Sequence, residues 1–242
     1  MIVKKHFWIS FGILILISIF SFTIMNSSRE NTKLHYLIRQ PKIKTTNPSL
    51  ILLLHGVGGN EQNLFSFAND LPDNFLVVSA RGPLTFGPES FAWFQVNFVE
   101  GKPQINEQQA EAARVTILDF IEDLKHELNF DEKQVYLIGF SQGGIMSYSA
   151  ALTAPEKIKG IAVISGRLLP EVQPLIADEK RLENLKVLVL HGRQDPVLHL
   201  PYALEAVTYL KSKEMNPEFK SYEGGHTINK QMLDDINLWL AK

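Results

Sequence analysis

An open, mostly parallel β-sheet of about seven strands, covered by helices on both faces, is the fold class this sequence predicts. Three observations carry it. Apolar, β-branched-rich runs recur along the chain and alternate with stretches of helical period. Several of those runs are apolar at consecutive positions, as parallel strands buried on both faces must be. One glycine-rich turn, Gly139-Phe140-Ser141-Gln142-Gly143, sits directly between a strand pattern and a helix pattern.

The first stretch stands outside this alternation. Residues 7–25 carry no charge, follow Lys4 and Lys5, and give way to the polar run Asn26-Ser27-Ser28-Arg29-Glu30. At about 1.5 Å per residue, such a run spans the hydrocarbon core of a bilayer. The lysines favour a cytoplasmic N-terminus and an exported remainder. A cleaved signal peptide shares the basic start and the apolar centre. However, the run is long for that role, and Phe22-Thr23-Ile24-Met25 lacks the small-x-small cleavage pattern. Residues 1–25 therefore read as an uncleaved signal anchor, with a cleaved signal as the alternative. Residues 26–33 read as a polar tether, and 34–242 as one domain. The expected location is the cytoplasmic membrane, with the domain outside the cytoplasm.

Strand runs fall at 34–38, 50–54, 75–79, 134–138, 158–164, 186–190 and 218–222. Helical period is clearest over 107–128, where Ala110, Ala113, Ile117, Phe120, Ile121, Leu124 and Leu128 share one face. Further helices are expected after Ser141, over 201–213 and over 230–241. The segment 86–103 reads as a long connection able to line a pocket.

Composition narrows the function. Net charge is −2, from 24 Lys and Arg against 26 Asp and Glu, and no basic block offers a footprint for nucleic acid. The chain has no cysteine, which removes disulfides, thiolate chemistry and a lipoprotein anchor. No spacing of His, Asp and Glu matches a metal site, so no metal is expected.

The turn at Ser141 is tight enough that its serine is expected in a strained conformation, with Oγ presented at the sheet's C-terminal edge. The residues two before and two after must be small, and Gly139 and Gly143 are. Two more candidates end strands at that same edge: Asp195 in His191-Gly192-Arg193-Gln194-Asp195-Pro196, and His226 after Glu223-Gly224-Gly225. A serine hydroxyl is a weak nucleophile and needs a base, for which His226 is suited; a carboxylate such as Asp195 orients that base. Each residue has a bland alternative: an incidental turn serine, an aspartate shaping a turn before proline, an exposed histidine. The three together, at three strand ends, favour the chemistry. The run His55-Gly56-Val57-Gly58-Gly59-Asn60 directly follows a strand and suits close backbone approach. The N–H groups of Val57 and Gln142 are the candidate oxyanion donors. A phosphate loop is the competing reading, but the third glycine and the Gly-Lys-Ser/Thr signature are missing. His191 is expected to bond locally. Trp93 and Phe94 are candidates for core packing or acyl-pocket lining, and Val197 for the pocket.

With these residues in place, the sequence from about Ser49 to Lys242 resembles the phospholipase/carboxylesterase branch of α/β-hydrolases, which includes acyl-protein thioesterases. The resemblance rests on Leu54-His55-Gly56-Val57-Gly58-Gly59-Asn60-Glu61, Ala80-Arg81-Gly82-Pro83, Ala92-Trp93-Phe94, Gly139-Phe140-Ser141-Gln142-Gly143-Gly144, His191 to Val197, and Gly225-His226. It implies a cofactor-free serine esterase with little or no lid, acting on small carboxylic esters, lysophospholipids or thioesters, with Val57 and Gln142 supplying the oxyanion donors. The N-terminal apolar run departs from that family and argues against an intracellular protein-deacylating role. A serine peptidase would use the same triad but lacks room here for a lid or propeller domain. A non-catalytic module would be expected to have lost a triad member. The sequence leaves a homodimer open.

Overall fold

The computed structural model describes residues 34–99 and 102–242. The expected anchor (1–25) and tether (26–33) lie outside the described residues. Among those described, no helix is long and apolar enough to cross a membrane.

In chain order the elements are β1 (Tyr36–Arg39), β2 (Leu50–Leu54), α1 (Glu61–Phe65), β3 (Leu76–Ala80), β4 (Leu84–Gly87), β5 (Ser90–Ala92), β6 (Val96–Val99), β7 (Lys102–Ile105), α2 (Glu107–Glu127), β8 (Val135–Phe140), α3 (Gln142–Thr153), β9 (Gly160–Ile164), α4 (Glu179–Leu182), β10 (Lys186–Gly192), α5 (Leu200–Ser212), β11 (Glu218–Tyr222) and α6 (Lys230–Leu240). Seven strands form one sheet in the order β1-β3-β2-β8-β9-β10-β11. Every neighbour pair in it is parallel except β1 with β3.

Burial on both faces explains the continuous apolar runs. Leu50, Leu52 and Leu54 join Leu137, Val163 and Val189 under α2, α3 and α5. The alternate residues Ile51 and Leu53 join Ile138, Ile164 and Leu190 under α1 and α6. A strand apolar at every position is poorly held in register by patterning alone. Register is set instead at the β8–α3 turn. There a Cβ on Gly143 would collide with the Leu54 carbonyl, and a Cβ on Gly139 with the Gly143 carbonyl. Only glycines let α3 lie this close to β2 and β8.

Several expected bounds shift for identifiable reasons. The strand expected at 134–138 runs to Phe140, and the one expected at 186–190 runs to Gly192, because β9 and β11 supply partners that far. The strand expected at 34–38 starts at Tyr36, since Leu34 is buried in the core outside the ladder. The strand expected at 158–164 starts at Gly160, and that expected at 75–79 spans Leu76–Ala80. The helix expected over 107–128 ends at Glu127, with Leu128 as its C-cap. The connection 86–103 is more ordered than expected, because hairpins β4–β5 and β6–β7 occupy it. Strands of three or four residues on a small hairpin are too short to leave a period in the sequence.

Gly143→Ala is expected to lower the free energy of unfolding by about 3 kcal/mol. Gly87→Ala, which meets nothing closer than 4.0 Å, should stay within about 0.5 kcal/mol. Urea titration of both variants checks the contrast, and equal stabilities would contradict the packing of the turn.

Candidate active site

Strand β8 ends at Phe140, and α3 begins at Gln142. Ser141, between them, takes φ 54° and ψ −115°. Such a conformation costs a non-glycine residue on the order of 1–3 kcal/mol and persists only where its surroundings impose it. Here the Ser141 N–H donates to Ile164 O at 2.8 Å, and the Ile145 N–H donates to Ser141 O at 3.0 Å. Asp195 follows β10, and His226 follows β11. The three side chains meet. Ser141 Oγ lies 2.8 Å from His226 Nε2, and His226 Nδ1 lies 2.7 Å from Asp195 Oδ2. A carboxylate can only accept, so Nδ1 carries the imidazole proton and Nε2 is left to accept from the serine hydroxyl.

The Asp195 side chain is fully buried, so its charge must be satisfied internally. Oδ1 accepts from the N–H groups of Val197 and Leu198, both at 2.9 Å. Burial pushes the Asp195 carboxyl up, but the bonds from His226, Leu198 and Val197 outweigh it and hold the group below the usual carboxylate range. His191, also fully buried, bonds locally as expected. Its Nε2–H donates to Leu198 O at 2.6 Å while standing 3.5 Å from Asp195 Oδ2. Burial lowers its pKa, so this second imidazole is neutral. His199 caps α5 and reaches the Asp195 backbone carbonyl through Nδ1 at 3.0 Å.

The loop after β2 is built around His55. Its Nδ1–H donates to Gly56 O at 2.6 Å, and its Nε2 accepts from the Gly82 N–H at 2.8 Å. Protonation would set two hydrogens against each other, and burial lowers its pKa. A Cβ on Gly56 would stand 3.3 Å from the Ser141 Cβ, so the loop passes as near the serine as glycine allows. Gly58, at φ 78°, donates to Phe91 O at 2.8 Å, and Phe91 returns a bond to Gly59 O at 2.8 Å. Among the described residues, neither the Val57 N–H nor the Gln142 N–H has a partner. Val57 itself is 43% exposed.

Trp93 and Phe94 fall on the core-packing side of their two readings, at 0% and 1% exposure. They line no groove at the serine because they brace it from behind. The Trp93 N–H donates to Gln142 Oε1 at 2.8 Å, and Gln142 Nε2 donates to Phe94 O at 2.7 Å. The Trp93 indole N–H donates to His55 O at 2.9 Å. The Gln142 side chain thereby fixes the first turn of α3. Nothing in the sequence reading assigned that role, and an amide beside the serine was the only signal for it. Val197 is 46% exposed and serves Asp195 through its backbone N–H. An open groove of about 410 Å³ does adjoin His226. Its lining includes Val57, Gly58, Asn63, Phe67, Phe140 and Ile228.

Glu61 holds the loop from below. Its side chain is 2% exposed and takes a two-point bond from Arg81, Nε to Oε2 at 2.6 Å and Nη2 to Oε1 at 2.7 Å. The Arg81 guanidinium also lies 4.3 Å from the Phe91 ring centroid.

A parallel sheet of this order, with a strained serine at its central edge and a histidine and a buried aspartate on following strands, defines an α/β-hydrolase. More narrowly, residues 35–242 match the model of the phospholipase/carboxylesterase family. The chain belongs to that family and is an ester hydrolase. It is 28% identical to carboxylesterase SOBER1 of Arabidopsis thaliana over 208 residues, 80% of this chain and 90% of that protein. It is 26% identical to acyl-protein thioesterase 1 of Kluyveromyces lactis over 210 residues, 80% of this chain and 91% of the other. In fold it is similar to the Bacillus cereus carboxylesterase, with a TM-score of 0.75 and 23% identity over 87% of this chain and 95% of that one.

The two buried imidazoles give a pH dependence. His55 and His191 stay neutral in the fold, whereas the unfolded chain protonates both below about pH 6.5. Their lowered pKa values leave stability intact above that pH and remove it as pH falls, by up to about 1.4 kcal/mol per unit per site. Urea midpoints should therefore be lower at pH 5.5 than at 7.5. A flat or rising profile would mean that the two rings take up protons in the fold as readily as in the unfolded chain.

Proposed function

We propose that the chain hydrolyses carboxylic esters or thioesters through an acyl-enzyme on Ser141, with His226 as base and acid and Asp195 as its orienting carboxylate. The relay of 2.8 Å and 2.7 Å from Ser141 Oγ through His226 to Asp195 carries this reading. Ser141 Oγ attacks the substrate carbonyl carbon while its proton passes to His226 Nε2. Asp195 stabilises the resulting imidazolium without taking the proton. The carbonyl oxygen, now an oxyanion, is received by the N–H groups of Val57 and Gln142, each worth about 3 kcal/mol of barrier lowering. Their lack of internal partners supports that role. As the carbon–oxygen or carbon–sulfur bond breaks, His226 returns its proton to the leaving alcohol or thiol. Water, deprotonated by His226, then attacks the acyl-enzyme and releases the acid. Small carboxylic esters, lysophospholipids and thioesters are the substrate classes in view.

A fluorophosphonate probe should label the wild-type chain and leave Ser141→Ala unlabelled. His226→Ala should lose at least about a thousand-fold in kcat with an unchanged circular dichroism spectrum. Equal labelling of wild type and Ser141→Ala would remove the serine from the mechanism.

The reading extends to location. Residues 7–25 anchor the chain uncleaved in the cytoplasmic membrane and leave the catalytic domain outside the cytoplasm. The uncharged run behind Lys4 and Lys5 supports this. Cell fractionation should put the full-length chain in the membrane pellet, with its C-terminal domain open to protease added to spheroplasts. Recovery in the soluble cytoplasmic fraction would overturn it.

A further inference from the structure

The groove beside His226 lies on one side of the sheet, under α1 and the loop after β11. Gly56 to Gly59 form one part of its lining, Asn63, Leu64 and Phe67 a second, and Phe140, Thr227 and Ile228 a third. In the tetrahedral intermediate, the leaving heteroatom must stand within hydrogen-bond reach of His226 Nε2, because that nitrogen protonates it. The substituent on this atom therefore starts at His226. The groove begins there as well, and the oxyanion loop shares its lining. A second cavity, of about 430 Å³, lies on the opposite face against α2, Leu169 and Val172, and includes none of Ser141, Asp195 and His226.

We propose that the groove beside His226 is the leaving-group subsite, and that it selects neutral, compact alkyl or aryl alcohols over charged ones. This rests on the ester-hydrolase reading above and narrows its substrate class. Apart from His226, nothing in the lining ionises: no Lys or Arg is there to pair with a phosphate, and no Asp or Glu to supply a countercharge to an ammonium. Val57, Phe67, Phe140 and Ile228 present apolar surface, and Phe140 lies against the His226 ring at 4.9 Å between centroids. One polar feature adds direction. Asn63 Oδ1 accepts from the Asn60 N–H at 2.7 Å, which leaves the Asn63 Nδ2 donor without a partner among the described residues. It suits a single ether or hydroxyl oxygen on the departing alcohol. A glycerophosphocholine leaving group would put both its charges against uncharged walls, so lysophospholipids fall outside the preferred class.

The test is kcat/KM on acetate esters that share one acyl group and differ in alcohol: methyl, butyl, 2-phenylethyl and choline. Choline is the most acidic of these alcohols, so chemistry alone favours its ester. Wild type should nonetheless prefer butyl and 2-phenylethyl acetate to acetylcholine by about ten-fold or more. Phe67→Ala should lower the 2-phenylethyl to methyl ratio about ten-fold. Ile228→Asp should improve acetylcholine relative to butyl acetate, and it keeps the question answerable if Phe67→Ala fails to fold. Both variants should leave an acyl series on methyl esters, acetate to hexanoate, unchanged within about two-fold. A wild-type preference for acetylcholine, or variants that alter the acyl series and spare the alcohol series, would overturn the subsite while leaving ester hydrolysis standing. Absence of turnover on every ester, with no fluorophosphonate labelling, would instead bring down the ester-hydrolase reading itself.

Discussion

The turn from β8 into α3 is the constraint on which the rest of the molecule depends. Its glycines let the helix pack against the Leu54 carbonyl at a distance no side chain would permit, and three consequences follow from that one contact. Ser141 is forced into positive φ and stands out at the sheet edge. The N–H of Gln142, as the first of a new helix, has no backbone acceptor and faces the same space. The loop after β2 is drawn alongside, close enough that a Cβ on Gly56 would stand 3.3 Å from that of Ser141. Ser141 and the two candidate oxyanion N–H groups are thus products of one packing event, and they share its rigidity.

That rigidity is reinforced by polar bonds that converge on a short segment. Residues 91–94 bond Gly58, Gly59, His55 and the Gln142 side chain, so the two oxyanion candidates are tied to one brace. Ionic contacts lie further out, where the fully formed Arg81–Glu61 pair anchors α1 beneath the loop. Glu61 is 2% exposed and Arg81 23%, so removing the arginine would leave a buried carboxylate without its two-point partner. The loop is therefore held by groups whose loss would destabilise it.

The sheet was legible in the sequence where strands are buried on both faces, because five consecutive apolar residues such as Leu50–Leu54 have few other homes. The strand ends carrying Ser141 and Asp195 were legible for the same reason, whereas the strand before His226 is a half-buried edge strand with charged residues in it. Hairpins β4–β5 and β6–β7 were not, since they stand outside the seven-stranded sheet and neither length nor alternation announces them. The bracing by Trp93 and Gln142 was hidden for a different reason. A side-chain amide bonding two backbone groups nearly fifty positions away has no local signature, and an aromatic residue in a loop reads equally well as core or as pocket. His191 and Gly192 read as loop because the strand there is prolonged by its partner β11 and not by its own composition.

His191 shows how burial can serve chemistry without entering it. Two imidazoles approach Asp195 Oδ2, His226 at 2.7 Å and His191 at 3.5 Å. Were both charged, they would divide one carboxylate between them, and unit charges at such distances interact on the order of 4 kcal/mol. The carboxylate's hold on a His226 imidazolium would weaken accordingly. Desolvation prevents it. His191 has no exposed surface, and its one proton is committed to Leu198 O, so taking a second would require charging a ring in an apolar wall. The undivided charge of Asp195 is left to face His226, the group that becomes cationic in the proposed mechanism when Ser141 gives up its proton.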